Sequence, residues 1–263
     1  AKLVELGVPV CLIGPPGTGK TTMLESLAKS RGQRLLTAVG YDMSTSDLVG
    51  TWRLRGGATV FRRGVLLRAV VGGHMLYLDE IYGLSEDCFR LLLQLLDGRR
   101  QLTVPALSKT FDAHPDFRFV ASYNPSADGV ERLPRELRDR MAMLEVQRLD
   151  EPRETELLTQ RFDLESRDVA YLLRFAKVTR RVDASGGAST RQLDTAARMV
   201  LAGFDVRTAC HDCILRPMAG TNRMQFEAAL NALRADGLDN FEELASYREE
   251  AEREANQTQF SEG

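Results

Sequence analysis

The sequence predicts an α/β fold with a five-stranded parallel sheet, followed by an all-helical domain. Two patterns support this prediction. Over residues 1–150, short apolar runs alternate with amphipathic stretches, as in a parallel sheet covered by helices on both faces. Over residues 151–263, apolar residues recur at helical spacing and no convincing strand appears. We therefore expect an α/β domain at 1–150 and a small helical domain at 151–263.

Each strand of the predicted sheet is a short apolar run. The five strands are expected at Pro9–Ile13, Leu35–Val39, Met75–Leu78, Phe117–Ser122 and Ala142–Val146. The clearest helix between them is Ser85–Asp97, which Gly98 ends. Its predicted buried face comprises Leu84, Cys88, Leu91, Leu92 and Leu95. A Gly56-Gly57 pair between two alternating segments predicts an exposed hairpin near residues 51–64.

The second domain is predicted from five amphipathic stretches. They lie near residues 151–162, 166–179, 190–202, 221–235 and 238–254. The third stretch has the most regular apolar stripe, formed by Leu193, Ala196, Ala197, Val200 and Leu201. Because these faces need partners to bury them, we expect the helices to pack on one another.

A glycine-rich motif connects the first strand to the next helix. It reads Gly14-Pro15-Pro16-Gly17-Thr18-Gly19-Lys20-Thr21. Glycines let backbone N–H groups surround a polyphosphate, and the N-terminus of the following helix is positively polarised. Lys20 is expected to contact the β- and γ-phosphates, and the Thr21 hydroxyl suits Mg²⁺. The alternative is a surface loop, but the strand–loop–helix context predicts nucleoside triphosphate binding.

The third predicted strand ends in two carboxylates, Asp79 and Glu80. At the carboxyl edge of the sheet, beside the glycine-rich loop, Asp79 is expected to help hold Mg²⁺. Glu80 is then the candidate base that polarises the attacking water. The alternative is a solvent-exposed acidic pair, but the upstream motif favours catalysis.

Four further residues are candidates for the reaction. Asn124 ends the next strand, where an amide can orient water, although asparagine before Pro125 is also a common turn residue. Arg138 and Arg140 precede the last strand, and either can reach a neighbouring subunit's γ-phosphate unless they form only a solvated helix end. Arg191 begins a helix of the second domain and is expected to reach the same phosphate.

Composition argues against three classes of protein: polyanion binders, membrane-spanning proteins and secreted proteins. The 263 residues carry a net charge of −2, with 43% hydrophobic and 27% charged residues. This balance argues against a generic polyanion binder. No apolar run approaches the roughly 20 residues that cross a bilayer, and the N-terminus carries no secretion-signal pattern. We expect a cytoplasmic protein.

The four cysteines do not predict a disulfide framework. Cys11 and Cys88 lie at apolar positions and are expected in the core. Cys210 and Cys213 flank a His-Asp pair and resemble half of a zinc site, but no second pair of ligands lies nearby. Packing on a helix is the favoured interpretation, and a reducing compartment is expected.

The order of these motifs resembles that of AAA+ ATPases. The segment 42–50 resembles the one after the second strand in the MoxR group, and 54–64 resembles that group's inserted hairpin. Residues 122–125 and the arginine pair resemble most closely the CbbQ/NorQ subgroup. The match covers about residues 8–215. Met141, where the family usually has an aromatic, and the basic Arg62-Arg63 pair depart from the pattern.

The resemblance implies a P-loop NTPase core with a helical lid, hydrolysing ATP with Mg²⁺. It also implies a homo-oligomeric, hexameric ring that works with a partner carrying a von Willebrand factor A domain. CbbQ members help activate Rubisco by removing inhibitory sugar phosphates, and NorQ members assist maturation of nitric oxide reductase. Lys20, Thr21, Asp79, Glu80, Asn124, Arg138, Arg140 and Arg191 keep the roles given above.

Three functions follow from the sequence. The favoured one is an ATP-driven remodelling chaperone that activates a target enzyme, with Rubisco preferred and nitric oxide reductase as the alternative. A nucleic-acid motor is the second, since aromatic residues interleave with arginines in the hairpin; nucleic acid is nevertheless an unlikely partner at this net charge. The residues concerned are Trp52, Arg53, Arg55, Phe61, Arg62 and Arg63. The third is a nucleotide-gated scaffold with little turnover.

Overall fold

The computed structural model describes residues 1–41, 43–124, 133–183, 187–219 and 223–238. The chain divides into two compact units, Ala1–Leu149 and Asp150–Gly263. The first unit contains the strands, and the second is helical throughout its described part. The helix expected at 238–254 lies outside the described residues beyond Leu238, as do Asp42 and Pro125 of the segments singled out above.

The first unit is built on the predicted five-stranded parallel sheet, which is confirmed. Its strands stand in the order β2-β5-β8-β1-β9, and two further pairs, β3-β4 and β6-β7, form separate antiparallel hairpins. The bounds are β1 Val10–Ile13, β2 Leu35–Val39, β3 Gly50–Arg55, β4 Ala58–Arg63, β5 Met75–Asp79, β6 Gln101–Val104, β7 Lys109–Asp112, β8 Arg118–Tyr123 and β9 Ala142–Glu145. Strands β5 and β8 lie inside the sheet and are buried almost throughout, which explains their apolar runs.

Helices cover this sheet, and the start of the fifth helix is set by a capping residue in the local sequence. The helices are α1 Lys2–Glu5, α2 Lys20–Ser30, α3 Thr45–Val49, α4 Val65–Gly72, α5 Glu86–Leu95 and α6 Arg135–Arg138. The Ser85 hydroxyl caps α5 by accepting the Cys88 N–H at 3.4 Å. Leu91 of the predicted apolar face is only half-buried, whereas Phe89, which was not predicted there, is buried.

Two hairpins extend the α/β unit. The β3-β4 hairpin turns at Gly56 and Gly57, whose φ values of +58° and +80° suit the tight type I′ turn that only glycine adopts readily. The β6-β7 hairpin was not predicted, although Gln101–Val104 alternates polar and apolar residues. The Trp52 indole N–H donates to the Ala106 carbonyl at 3.1 Å and so joins the first hairpin to the turn of the second.

The second unit has its own hydrophobic core. Its helices are α7 Glu151–Arg161, α8 Ser166–Val182, α9 Thr190–Leu201, α10 Val206–Cys210, α11 Arg216–Ala219 and α12 Arg223–Ala235. Helices α7, α8, α9 and α12 occupy stretches where helices were predicted. Helices α10 and α11, joined by a π-helical turn at His211–Leu215, were not among the predicted stretches. The core gathers around Phe175 of α8 and Leu193 of α9, both fully buried.

A buried ion pair fixes the start of α9. Glu154 of α7, which is 1% exposed, accepts two hydrogen bonds from the Arg180 guanidinium of α8, at 2.7 and 2.9 Å. The Thr190 hydroxyl donates to the same carboxylate at 2.8 Å, and Arg180 Nε donates to the Ala188 carbonyl at 2.6 Å. A buried pair is tolerated only when its hydrogen bonds are satisfied, as here. The backbone immediately before Arg191 is therefore held by two other helices.

Candidate functional site

The glycine-rich loop has the backbone geometry of a phosphate cradle. It runs from the end of β1 to the start of α2, and Gly17 and Gly19 have φ values of +74° and +81°. These left-handed conformations turn successive N–H groups toward one side of a loop, a geometry that binds anions. Beyond its chain neighbours, no described residue has an atom within 4 Å of the point where a Gly19 Cβ would stand, so this part of the loop is open.

Lys20 and the N-terminus of α2 add positive charge to this loop. The Lys20 ammonium donates to the carbonyl oxygens of Gly14 and Pro15, each at 2.9 Å, and so folds back over the loop. Gly19 stands at the N-cap of α2 and offers no side chain, so the first N–H groups of the helix have no side-chain cap. Both features suit a bound polyphosphate.

The loop is anchored to the sheet by a close approach. The Gly14 N–H donates to the Tyr123 carbonyl at 3.1 Å. A Cβ on Gly14 would clash with the Val146 carbonyl oxygen, just beyond β9, so a larger residue would displace the start of the loop. Strands β8 and β9 thus set the position of the loop between them.

Asp79 ends β5 and its carboxylate is held by two hydroxyl groups. The Tyr77 phenol donates to Asp79 Oδ1 at 2.9 Å, and the Ser122 hydroxyl of β8 donates to the same oxygen. Burial raises the pKa of Tyr77 above its usual range, so this phenol stays protonated and available as a donor. The Thr21 side chain lies near enough to the Tyr77 hydroxyl to lower the pKa of this phenol slightly, against the larger effect of burial. One buried tyrosine therefore bonds Asp79 and lies near Thr21, the two residues predicted to hold Mg²⁺.

Glu80 adopts a left-handed backbone conformation, with φ +54° and ψ +50°. Such a conformation costs a non-glycine residue about 1–3 kcal/mol and persists only where its surroundings impose it. Here the Glu80 N–H donates to Ser122 Oγ at 3.2 Å and the Glu80 carbonyl accepts from Gly83 at 3.0 Å. A Cβ at Gly40 would stand 2.5 Å from that carbonyl oxygen, so only glycine fits there. Glu80 is thus turned out of the strand direction by local contacts.

Strand register brings Asn124 to the same edge of the sheet. Strand β8, which Asn124 follows, lies between β1 and β5. Ile13 at the end of β1 pairs with Tyr123, and Leu78 near the end of β5 pairs with Ala121. The glycine-rich loop therefore begins on one side of Asn124, and β5 ends on its other side. Asn124 is half-buried there. The loop, Asp79, Glu80 and Asn124 therefore converge at the carboxyl ends of β1, β5 and β8.

The three arginines occupy two different settings. Arg138 ends α6 and is half-buried, and its buried Nε has no hydrogen-bond partner among the described residues. Arg140 is exposed and donates from Nη1 to the Glu136 carbonyl at 3.2 Å. Arg191 is an exposed residue in the first turn of α9, in the second unit. The side chains of Arg140 and Arg191 are thus accessible on their own units.

The paired cysteines of the second unit have a packing environment. Cys210 is fully buried, and the Cys213 thiol contacts the Met199 sulfur at 3.3 Å. Burial raises the pKa of both thiols, which opposes formation of the thiolates that zinc requires. Within the described ranges no cluster of three His, Cys, Asp or Glu residues could hold a metal ion.

Two residues at the site were missed by sequence reasoning. Tyr77 lies two positions before Asp79, and in a strand this spacing places both side chains on the same face. The spacing could therefore have indicated that Tyr77 contacts Asp79. Ser122 bonds both Asp79 and the backbone of Glu80, although it lies 43 residues from Asp79. Its role follows from the pairing of β5 with β8, which sequence alone does not specify.

The fold and this site define a P-loop protein of the AAA class, and comparison with known proteins agrees. Residues 9–141 match the AAA domain of the dynein-related subfamily, and residues 154–236 match the CbbQ/NirQ/NorQ C-terminal domain. The chain therefore belongs to the CbbQ/NirQ/NorQ family of AAA+ proteins. An AAA domain is a nucleotide-binding domain, and the geometry of the loop fits that role.

Relatives of similar length support this assignment. Protein NorQ of Paracoccus denitrificans is 33% identical, with 80% of each chain covered. Denitrification regulatory protein NirQ of Stutzerimonas stutzeri is 30% identical, over 81% of this chain and 79% of its own. Protein CbbQ of Hydrogenophilus thermoluteolus is 30% identical, over 80% and 81%. The crystal structure of NtrX from Brucella abortus, 18% identical, shares the fold over 78% of this chain and 50% of its own, with a TM-score of 0.55.

One structural property bears on membranes. Among the helices in the described ranges, none combines the length and the apolar character needed to span a bilayer.

Proposed function

We propose that this protein hydrolyses ATP and uses the cycle to remodel a target enzyme. The observation that carries the proposal is the convergence of the phosphate cradle with Asp79 and with a left-handed Glu80 at one sheet edge. A protein that only bound nucleotide would not need a glutamate held in a costly conformation beside the cradle. The nucleotide-gated scaffold has no comparable observation in its favour.

Each residue at the edge has a distinct proposed task. The loop from Gly14 to Gly19 and the Lys20 ammonium bind the phosphates, and Thr21 with Asp79 would hold Mg²⁺. When bound, this ion neutralises charge on the β- and γ-phosphate oxygens. Glu80 accepts a proton from the attacking water. Asn124 orients that water through its amide.

The hydrogen bonds on Asp79 lead to a prediction about the metal. Tyr77→Phe removes one of the two hydroxyl donors to the Asp79 carboxylate, so Asp79 is held less firmly in its orientation. Because one hydrogen bond contributes roughly 0.5–1.5 kcal/mol, the Mg²⁺ concentration for half-maximal ATP turnover should rise about two- to twelvefold. A magnesium titration of turnover measures this.

Tyr171→Phe is the matched control for that titration. It removes a phenol that donates to the Leu238 carbonyl at 2.6 Å in the second unit. The control should lose a similar hydrogen bond without changing the magnesium requirement. An unchanged requirement in Tyr77→Phe would show that the tyrosine does not support the metal site.

We further propose that the chain works as a homo-oligomeric ring, of six subunits by family resemblance. Arg138 or Arg140 of one subunit would reach the γ-phosphate bound by the next, and Arg191 would contact nucleotide from a helical lid formed by residues 151–263. The exposure of Arg140 and Arg191 supports these roles. A partner carrying a von Willebrand factor A domain would connect the ring to its target.

The target enzyme is proposed from the relatives. CbbQ-type function makes Rubisco the target, and NorQ-type function makes it nitric oxide reductase. Identities of 33% to NorQ and 30% to CbbQ do not favour either one, so the sequence preference for Rubisco gains no support. The experiment below therefore tests for both targets.

The proposal is tested by capturing the partners in the native cell. Glu80→Gln should hold ATP in an assembled state and retain its partner, whereas Lys20→Ala should bind nucleotide weakly and serves as the control. Recovery of a von Willebrand factor A protein together with Rubisco, or with a nitric oxide reductase subunit, on Glu80→Gln alone would identify the branch. Equal recovery on both variants would contradict nucleotide-dependent engagement.

A further inference from the structure

The register of the β3-β4 hairpin sorts its side chains onto two faces. Thr51 pairs with Arg62, Arg53 with Val60, and paired residues of an antiparallel ladder share a face. One face, here termed the arginine face, comprises Thr51, Arg53, Arg55, Ala58, Val60 and Arg62. The opposite face, here termed the aromatic face, comprises Gly50, Trp52, Leu54, Thr59, Phe61 and Arg63. The arginines and aromatics that interleave in sequence are therefore largely separated in space.

The aromatic face is partly covered by the protein itself. Trp52 and Phe61 meet edge to face with ring centroids 5.4 Å apart, and Phe61 also packs against the hydrophobic core. The Trp52 indole is fixed to the Ala106 carbonyl. These contacts attach the hairpin to its own unit, although Trp52 is still 49% exposed.

The arginine face is open and carries uncompensated charge. Arg53, Arg55 and Arg62 are exposed around Val60, which is 50% exposed. In the described part of the chain, none of these arginines takes part in a salt bridge. The pKa of Asp47 is lowered chiefly by its hydrogen bonds with Ser44, and the charge of Arg53 adds only a small part.

We propose that the arginine face binds an acidic segment of a partner protein, with an aliphatic side chain of that segment resting on Val60. Guanidinium groups match carboxylates in planar, paired hydrogen bonds, and three of them on one rigid face favour a segment with several carboxylates. The glycine turn and the packed aromatic face hold the hairpin in shape, so little ordering is needed on binding. This inference extends the proposed remodelling function by giving the chemistry of the segment that is engaged.

Charge alone would also fit nucleic acid, but the distribution of aromatics does not. Proteins that bind single strands combine positive charge with aromatic rings on which bases stack. Here both aromatics of the hairpin lie on the opposite face and pack against each other. The net charge of −2 also gives the chain no overall positive charge to attract a phosphate backbone.

The adjacent residues Arg62 and Arg63 provide a matched test, because both are exposed and they lie on opposite faces. The probe is a fluorescent peptide of alternating glutamate and valine, titrated with the full chain and followed by anisotropy. Arg62→Glu and Arg53→Glu should each weaken binding, and the double variant should weaken it by about tenfold or more. Arg63→Glu carries the same change in charge and should bind within about twofold of the wild type.

The outcomes separate this inference from the proposed function. ATP turnover without a target should be the same in all four variants and the wild type, since none lies in the nucleotide site. Equal weakening by Arg63→Glu, no binding of the acidic peptide by the wild type, or tighter binding of a single-stranded oligonucleotide would overturn the inference. A chain that binds the peptide face-selectively but hydrolyses no ATP would refute only the proposed function.

Discussion

Glu80→Gln is expected to bind ATP as the wild type does and to hydrolyse it about 10²–10⁴-fold more slowly. Glutamine keeps the shape of the side chain but cannot accept a proton from water. The left-handed backbone of residue 80 depends on the bonds from its N–H and to its carbonyl, which the substitution leaves in place. The phosphate cradle is a separate segment of the chain and is also unchanged.

Binding and turnover must be measured on the same preparation. Titration with a fluorescent ATP analogue gives affinity, and phosphate release gives the rate. Lys20→Ala is the comparison, because it removes a charged contact to the phosphates and should weaken binding itself. If Glu80→Gln turned over ATP within about threefold of the wild type, another group would have to be the base.

Arg138→Ala or Arg140→Ala is expected to reduce turnover by about 10³-fold or more if the residue stabilises the transition state from a neighbouring subunit. Arg140 is exposed, and the buried Arg138 Nε has no hydrogen-bond partner in the part of the chain that the structure describes. Both variants are therefore measured, and only one of them needs to show the large loss. Arg135→Ala is the control. Arg135 begins the short helix that Arg138 ends, and it is exposed. Among the described residues its one salt bridge is a long 3.9 Å contact with Asp139.

Mixing experiments show whether the arginine acts between subunits. An inactive arginine variant still has its base, and Glu80→Gln still has its arginine, so some interfaces in a mixed ring combine both functional groups. Turnover of the mixture should therefore exceed the sum of the two variants alone. A mixture no more active than its components, with ring assembly verified by ultracentrifugation, would place the arginine's action within one subunit or exclude it from catalysis.

The fold was predictable because burial on both faces of a parallel sheet requires continuous apolar runs. Met75–Leu78 is such a run, and the structure buries all four residues. The glycine-rich loop was recognisable since its spacing, strand and helix occur together in sequence. The small β6-β7 hairpin was missed because neither strand is an apolar run: Gln101–Val104 alternates, and Lys109–Asp112 has a single apolar residue, Phe111.

Contacts between distant segments account for what the sequence did not predict. Ser122 and Asp79 meet only through strand pairing, and Glu154 meets Arg180 across 26 residues through helix packing. The two faces of the β3-β4 hairpin, by contrast, could have been predicted from the sequence. A two-residue glycine turn fixes the register of such a hairpin, so strict alternation could have separated Arg62 from Phe61 in advance.

The central claim is that the Glu80 edge of the sheet hydrolyses ATP in an assembled ring. The most direct measurement is phosphate release by the purified chain across a range of protein concentrations, with and without Mg²⁺, alongside Glu80→Gln. The account predicts magnesium-dependent turnover per subunit that rises as rings assemble and is nearly absent in Glu80→Gln. Turnover that is absent at every concentration, or equal in Glu80→Gln, would contradict it.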